Sequence, residues 1–413
     1  MPQVYGDGTS TATNGANVRV EALRAKAIRV ATRELVFDQL ADKETMPTQH
    51  GKTLKVHKTL WILDDANIND QGLDSTGAVP SAGEPNVNGN LYGSSRSVVD
   101  ITNGLPMLSE GAGRVNRVGV TRITREGTLV RMGAFLEYTD EVDKFSDAKM
   151  EVQYYEKMGT LAAAMYDDYV QKELLGAAGI ENYGGTATSI LTVTGNSALI
   201  ASDLTYDLII DGEDSLKANW AEMSTSIIAG TPKIDTMTVN ASYFAYCGSV
   251  STRALMKLKD FHNEAAYTPA RMYAAAGNLA KNEVGAVSST RFIEARRMLK
   301  WDGGGAQVTG GVLNANGYKT TTLTAAQATA RGHGAVAGTY FDAFPIMYVT
   351  KGAFATIGLQ GNKKVKWASK KPGDGVATYE DPHNLMGIYS FNFFAGSIVL
   401  EPEKILRIVH AAQ

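Results

Sequence analysis

Apolar residues recur at two different spacings along this chain, and the changes of spacing divide it. Between residues 18 and 41, Val20, Leu23, Ala27, Val30, Ala31 and Leu35 fall three or four apart, with Arg19, Arg24, Lys26, Arg29 and Arg33 between them. That spacing predicts an amphipathic helix, closed by Pro47 and Gly51. From Lys52 to Leu63 the pattern turns extended, with Leu54 and Val56 alternating with Lys55 and His57, and a strand is expected. Alternation returns over Val115–Phe135, through Val118, Val120, Ile123, Leu129, Val130 and Met132. Between the two lies Asp64–Gly119, rich in Gly, Asn, Ser and Asp and carrying Pro80, Pro85 and Pro106. A stretch that long without periodicity belongs in a compact protein only where it has a function. Strand, excursion and strand together predict a large hairpin that projects from the body.

Helical spacing is strongest from Ser146 to Gly176. Ser146 can cap the helix, Asp147 suits its first turn, and Met150, Tyr154, Met158, Leu161, Met165 and Tyr169 make one apolar row before Gly176 and Gly179. About thirty residues at a rise of 1.5 Å give a rod of roughly 45 Å, long enough to act as a strut. Further on, Leu204–Ala221 and Ser249–Phe261 are expected as helices. Thr236–Asn240, Arg291–Leu299, Pro345–Val349, Ile388–Leu400 and Ile405–Val409 are expected as strands, with Pro402 breaking the last two apart. Glycine loops at 303–317 and 332–338 separate them, and residues 1–17 form a polar arm. The fold class is α+β.

Composition narrows the function. A chain of 413 residues exceeds one ordinary core, so two or three subdomains are expected. The formal net charge of −3 argues against a protein that grips nucleic acid through its phosphates. A single cysteine, Cys247, excludes an intrachain disulfide framework and suits a reducing compartment. The first twenty residues show no basic start followed by an apolar run, so no secretory signal is expected. The longest apolar runs, such as Phe393–Leu400, fall well short of the roughly 20 residues that cross a bilayer, so no membrane contact is expected.

The side chains that could carry chemistry are dispersed along the chain. His50, His57, His262, His333, His383 and His410 are scattered, and Cys247 has no second cysteine, so no set of convergent metal ligands emerges. Gly332–Gly338 resembles a dinucleotide turn, but the glycine spacing is off by one and the preceding Ala325–Arg331 is not strand-like. Asp65–Asp70 begins like a calcium loop, yet Asp70 stands where glycine is needed and Thr76 where glutamate is needed. Asp167 and Asp168 are adjacent on a helix and face different directions, so they make no carboxylate pair. Lys363, Lys364, Lys366, Lys370 and Lys371 around Trp367 suit a solvated strand facing water or a neighbour better than a nucleic-acid surface. No catalytic, cofactor-binding or metal residue is assigned, and no cofactor is expected.

Three segments carry a family resemblance. GTLVRMGAFLEYTD at Gly127–Asp140, FIEARRMLKWDGGG at Phe292–Gly305, and the sequence from Lys370–Gly373 through Asp381-Pro382 to Gly387–Val409 resemble capsid proteins of Schitoviridae-type podoviruses. The order of elements resembles the Hong Kong 97-type capsid fold of tailed phages over nearly the whole chain. That resemblance implies an N-terminal arm and helix at 1–50, an extended-loop hairpin at 51–135 and the spine helix of a peripheral domain at 136–180. It further implies a mainly axial domain at 181–360 and a return to the peripheral domain with C-terminal strands at 361–413. It implies a structural protein, not an enzyme, that assembles with itself into hexamers and pentamers of an icosahedral shell around double-stranded DNA. Assembly would take place in the bacterial host cytoplasm. Decoration, scaffolding and portal proteins, and weak non-specific contact with the packaged DNA, are the implied partners. One departure matters: no lysine occurs between Lys58 and Lys144, so the extended loop cannot supply an ε-amine for the isopeptide staple of the fold's type member. Two alternatives stay open. One is an encapsulin-like nanocompartment shell protein, which normally lacks so long an excursion; the other is a soluble enzyme with a glycine-lined cofactor loop.

Overall fold

The computed structural model describes residues 36–49, 51–59, 110, 122–145, 150–195, 200–230, 236–273, 279–308, 317–359, 365–374, 379 and 381–413. The polar arm, the first helix up to residue 35, nearly all of the excursion, the Asp65–Asp70 segment, and Ser146 with Asp147 lie outside them.

In chain order the strands are β1 Asp42–Met46, β2 Thr53–Thr59, β3 Arg122–Thr128 and β4 Val130–Thr139. Helix α1 Asp140–Phe145, the long helix α2 Met150–Ala177, β5 Ile180–Tyr183, α3 Tyr206–Ala218, β6 Tyr243–Cys247 and α4 Ser249–Leu255 follow. Then come β7 Tyr267–Pro269, β8 Glu283–Val287, β9 Thr290–Glu294, β10 Thr320–Leu323, α5 Ala325–Ala330 and β11 Gly338–Phe341. The chain ends with β12 Phe344–Val349, β13 Phe354–Leu359, β14 Lys366–Lys370, β15 Met386–Val399 and β16 Ile405–His410. Among the described residues one compact unit takes 133–163 and 367–391, and a second takes 36–132, 164–366 and 392–413.

The second unit is built on a seven-stranded sheet in the order β5-β16-β12-β6-β9-β8-β7. β12 (FPIMYV) and β16 (ILRIVH) are buried along their whole length. Continuous apolar runs of this kind are what a strand covered on both faces requires. β12 pairs antiparallel with β16 and with β6, whereas β6 with β9 and β16 with β5 are parallel. Alternation sorts the side chains. Ile346, Tyr348, Leu406 and Ile408 join Ile209 and Leu216 of α3, Leu255 of α4 and Phe292 on one face. Met347, Val349, Ile405, Tyr246 and Ile293 meet Phe37 and Val170 and Leu174 of α2 on the other. Each fully buried side chain of this size contributes roughly 1.5–3 kcal/mol.

Elsewhere in this unit, β13 lies between β1, parallel, and the later half of β15, antiparallel. Met46, Leu129, Ala355, Ile357 and Ile398 form the core there. Gly127 sits so close to this layer that a Cβ would lie 2.6 Å from the Ser397 carbonyl oxygen and 2.8 Å from Ile398 Cβ. β2 and β3 make a separate antiparallel ribbon, registered from Thr53 against Thr128 to Thr59 against Arg122.

The first unit is held by aromatic rings. Tyr138 stacks on Tyr389 at 5.3 Å, Tyr154 leans on both, and Trp367 tilts against Phe391 at 5.7 Å. Asp381 accepts the Leu385 and Met386 amides, and the Leu385 carbonyl in turn accepts the Asp140 amide.

Several expected elements differ. The helix expected to reach residue 41 gives way to a 3-10 turn at Phe37–Gln39 and then β1. Asp167 captures the Val36 and Phe37 amides at 3.1 and 3.2 Å, and the Phe37 ring is buried against Tyr246. The helix expected over Ser249–Phe261 stops at Leu255, because Asp260 takes the His262 and Glu264 amides into a tight loop. Arg291–Leu299 is extended only to Glu294, and Thr236–Asn240 makes isolated bridges at Met237 and Val239 instead of a strand. In α2 the buried residues among those described are Met158, Ala162, Ala164, Val170, Gln171 and Leu174, and the expected Leu161 is 42% exposed.

Candidate functional site

Among the described residues, those singled out for chemistry do not converge. Among the described residues no group of three His, Cys, Asp or Glu could hold a metal. Cys247 is fully buried, and that burial pushes its thiol up to about 12. The glycine loop at 332–338 runs the wrong way for a dinucleotide turn: helix α5 enters it and strand β11 leaves it. Its place beside the other glycine loop is taken by His333, which donates through Nε2 to the Gly303 carbonyl at 2.9 Å and stacks on Tyr340. Lys363 and Lys364 lie outside the described residues; β14 is an exposed strand, with Lys370 paired to Asp381 at 3.6 Å.

Sequence spacing gave no hint of a pair that the fold brings together from 159 positions apart. His410 Nε2 lies 2.9 Å from Ser251 Oγ, and His410 Nδ1 lies 2.8 Å from the Ala411 carbonyl. A carbonyl can only accept, so Nδ1 carries the proton and Nε2 accepts from the serine hydroxyl. That is the hydrogen-bond order of a nucleophile and its base. Both residues are buried, however, and burial lowers the imidazole to about 4. A neighbouring pocket of about 190 Å³ is lined by Asp203, Arg253, Lys257 and Ala412, among others, and not by Ser251 or His410. The pair therefore ties β16 to α4 in the buried interior.

Other buried polar groups do the same kind of work. Glu213 of α3 accepts from Ser288 Oγ, Ser289 N and Thr290 Oγ1 at 2.8–3.0 Å, closing the β8–β9 turn against the helix. Burial pushes its carboxyl up, against the pull of those three bonds. Asp342 accepts from Gly303 N and Thr321 Oγ1, both at 2.7 Å. Gly303 has φ +61°, a conformation that favours glycine, so the aspartate holds a turn that another residue would strain. Trp301 bridges to Ala343, and the Arg407 guanidinium sits 5.2 Å over its ring while bonding the Leu175 carbonyl at the end of α2 and Glu181. The segment Phe292–Gly305 is thus a packing clamp.

What remains is surface. The β2–β3 ribbon alternates half-buried and exposed residues, and Gly127 is its one buried position. Leu54 and Val56 rest on the core beneath, and Lys58 reaches Glu401 and Glu403 at 2.9 Å each. Burial works against these charges, but the hydrogen bonds outweigh it: Lys58 is held above its ordinary value and Glu401, also bonded to Lys404, below its own. β1 and β14 carry charged or exposed side chains, which discourages open-ended strand pairing. Phe135 is 67% exposed and Phe261 81% exposed. No helix among the described residues is long and apolar enough to cross a membrane.

Among the described residues the polar groups brought together are structural, and the exposed apolar side chains lie on loops and strand surfaces. The chain is 35% identical to the major capsid protein of Pseudomonas phage KPP21 over 418 residues, covering all of this chain and 98% of that protein. It belongs to the phage major capsid proteins. No family model matches it. Among solved structures, the capsid of Ralstonia phage GP4 superposes with a TM-score of 0.55 at 12% identity, covering 98% of each chain, a likeness of fold. Its role is structural, in a capsid shell. For a shell subunit the buried Ser251–His410, Glu213 and Asp342 networks fix the shape of the tile, and the exposed edges are what a neighbour can meet.

Proposed function

We propose that copies of this chain associate into hexamers and pentamers that close an icosahedral shell around double-stranded DNA, without catalysis, in the virion of a Schitoviridae-type podovirus. The full-length 35% identity to a major capsid protein carries this reading. The division into arm and helix at 1–50, hairpin at 51–135, spine helix at 136–180, axial domain at 181–360 and returning strands at 361–413 follows the Hong Kong 97 plan. Consistent with it are the long α2 and the β2–β3 ribbon, whose stem rests on its own subunit through Leu54, Val56 and Lys58. The arm and the excursion beyond that stem supply heterologous contacts, which close rings where isologous contacts give only dimers. The balanced charge keeps contact with DNA weak and salt-sensitive.

Electron microscopy of the expressed chain tests this directly. Closed particles are expected for the full chain, and failure to assemble is expected when residues 70–110 are deleted. Particles of normal size and yield from the deletion would remove the excursion from the assembly contacts. A solitary full-length chain at every concentration and salt would remove the shell itself.

A further inference from the structure

The described surface carries one apolar side chain that the fold presents on a deliberately fixed support. After α4 the chain turns, Leu258 enters the main core, and Lys259 and Ala265 form an antiparallel bridge. The loop between them is locked by its own polar groups. Asp260 Oδ1 accepts the His262 and Glu264 amides, each at 2.9 Å. The Asp260 amide donates to the Glu264 carbonyl at 2.9 Å, and the Asn263 amide to the Asp260 carbonyl at 3.0 Å. Lys259 Nζ reaches Asn263 Oδ1 at 2.9 Å, and Asn263 adopts φ +64°. Ala266, packed against the core, returns a bond to the Leu258 carbonyl. At the tip stands Phe261, 81% exposed, its ring 4.1 Å from that of His262.

We propose that Phe261 is an assembly knob that seats on a second copy of this chain. This rests on the shell reading above and names a residue that acts in it. Ordering a loop before contact removes that entropy cost from association. Within an isolated subunit the same ordering leaves a phenylalanine in water with no return. The partner's chemistry follows from the loop's charge. Lys257 and Lys259 are balanced by Asp260 and Glu264, so the tip attracts neither phosphate nor an anionic lipid surface. It suits an aromatic contact in a protein interface, where phenylalanine is enriched. In a shell, the surface every copy meets at high local concentration is another copy.

The test places a photoreactive benzoylphenylalanine at position 261 of the full chain and irradiates assembled particles. A covalent adduct of two capsid chains is expected, absent when dissociated subunits are irradiated. In parallel, Phe261→Ser is expected to lower the fraction of chain sedimenting as particles at least tenfold, with the melting curve of the free subunit unchanged. Particles at wild-type yield from Phe261→Ser, or an adduct to a different protein, would overturn the proposal. If Phe261→Ser does not fold, the adduct alone decides. If the unaltered chain forms particles and the knob tests negative, only the knob fails; if the unaltered chain forms none, the shell reading fails with it.

Discussion

Strands β12 and β2 are of similar length and are held in opposite ways. β12 and its partner β16 are buried at every residue, with side chains driven into a core on each face of the sheet. β2 and β3 share an equally regular ladder, yet they bury one face partly and rely on Lys58 and its glutamates for lateral hold. The difference separates two jobs. Apolar burial on both sides commits a strand to the fold of its own subunit, whereas a ladder with one dry edge leaves a face that another copy can cover. Perturbing the central strands should therefore unfold the subunit, and perturbing the ribbon should spare it.

The largest test of that contrast is Phe292→Ala. The ring is fully buried and meets Tyr348 edge-on, so its loss should cost roughly 3–5 kcal/mol in denaturant unfolding of free subunits. A cost below about 1 kcal/mol would mean that the central sheet is not the stabilising core.

Next comes pH. The imidazole of His410 is lowered from 6.5 to about 4 by burial, so the fold favours its neutral form. Its contribution is complete above 6.5 and declines as pH falls through the interval to about 4, by roughly 3 kcal/mol in all. Unfolding midpoints measured across that interval should fall for the native chain and fall less steeply for His410→Gln; equal slopes would refute this assignment.

A smaller loss, about 2 kcal/mol, is expected for Glu213→Ala, which strips the acceptor from Ser288, Ser289 and Thr290. Glu213→Gln, keeping one acceptor oxygen, should lose less in the same thermal melts.

Smallest is Lys58→Met, at about 1 kcal/mol or less. The native clasp is complete between the ordinary values of 4.5 for Glu401 and 10.5 for Lys58. It is lost as acid passes through the lowered carboxyl or alkali through the raised amine. Limited proteolysis should speed up within the ribbon while the melting midpoint stays nearly fixed. A midpoint that drops as far as that of Phe292→Ala would erase the distinction between the two regions.

Local patterns made much of this fold legible. The apolar runs at Pro345–Val349 and Ile405–Val409 announced strands, the alternation around Leu54 and Val56 announced another, and helical spacing after Met150 located α2 within a few residues. Misreadings came where a distant group overrode local preference. Asp167 reached across to fix the turn at Phe37, and nothing near Phe37 encodes that. The row through Leu161 failed because the small Ala162 and Ala164 are buried instead, while Leu161 stays exposed. Asp260 ended a helix from within, a signal visible in principle as an aspartate whose carboxylate competes for amides. For the site, sequence spacing offered no convergent set of metal ligands and no complete cofactor motif. It could not foresee Ser251 meeting His410, because only the strand order brings β16 near α4.

Cys247 offers a practical dividend. Its sulfur is sealed beneath Thr252 and the Ile293 carbonyl, so alkylating reagents and mild oxidants should pass the native subunit by. A cysteine introduced anywhere on the exterior would then be the sole reactive handle, one per tile. Dyes, spin probes or cargo could be mounted at a chosen point without first engineering a cysteine-free background.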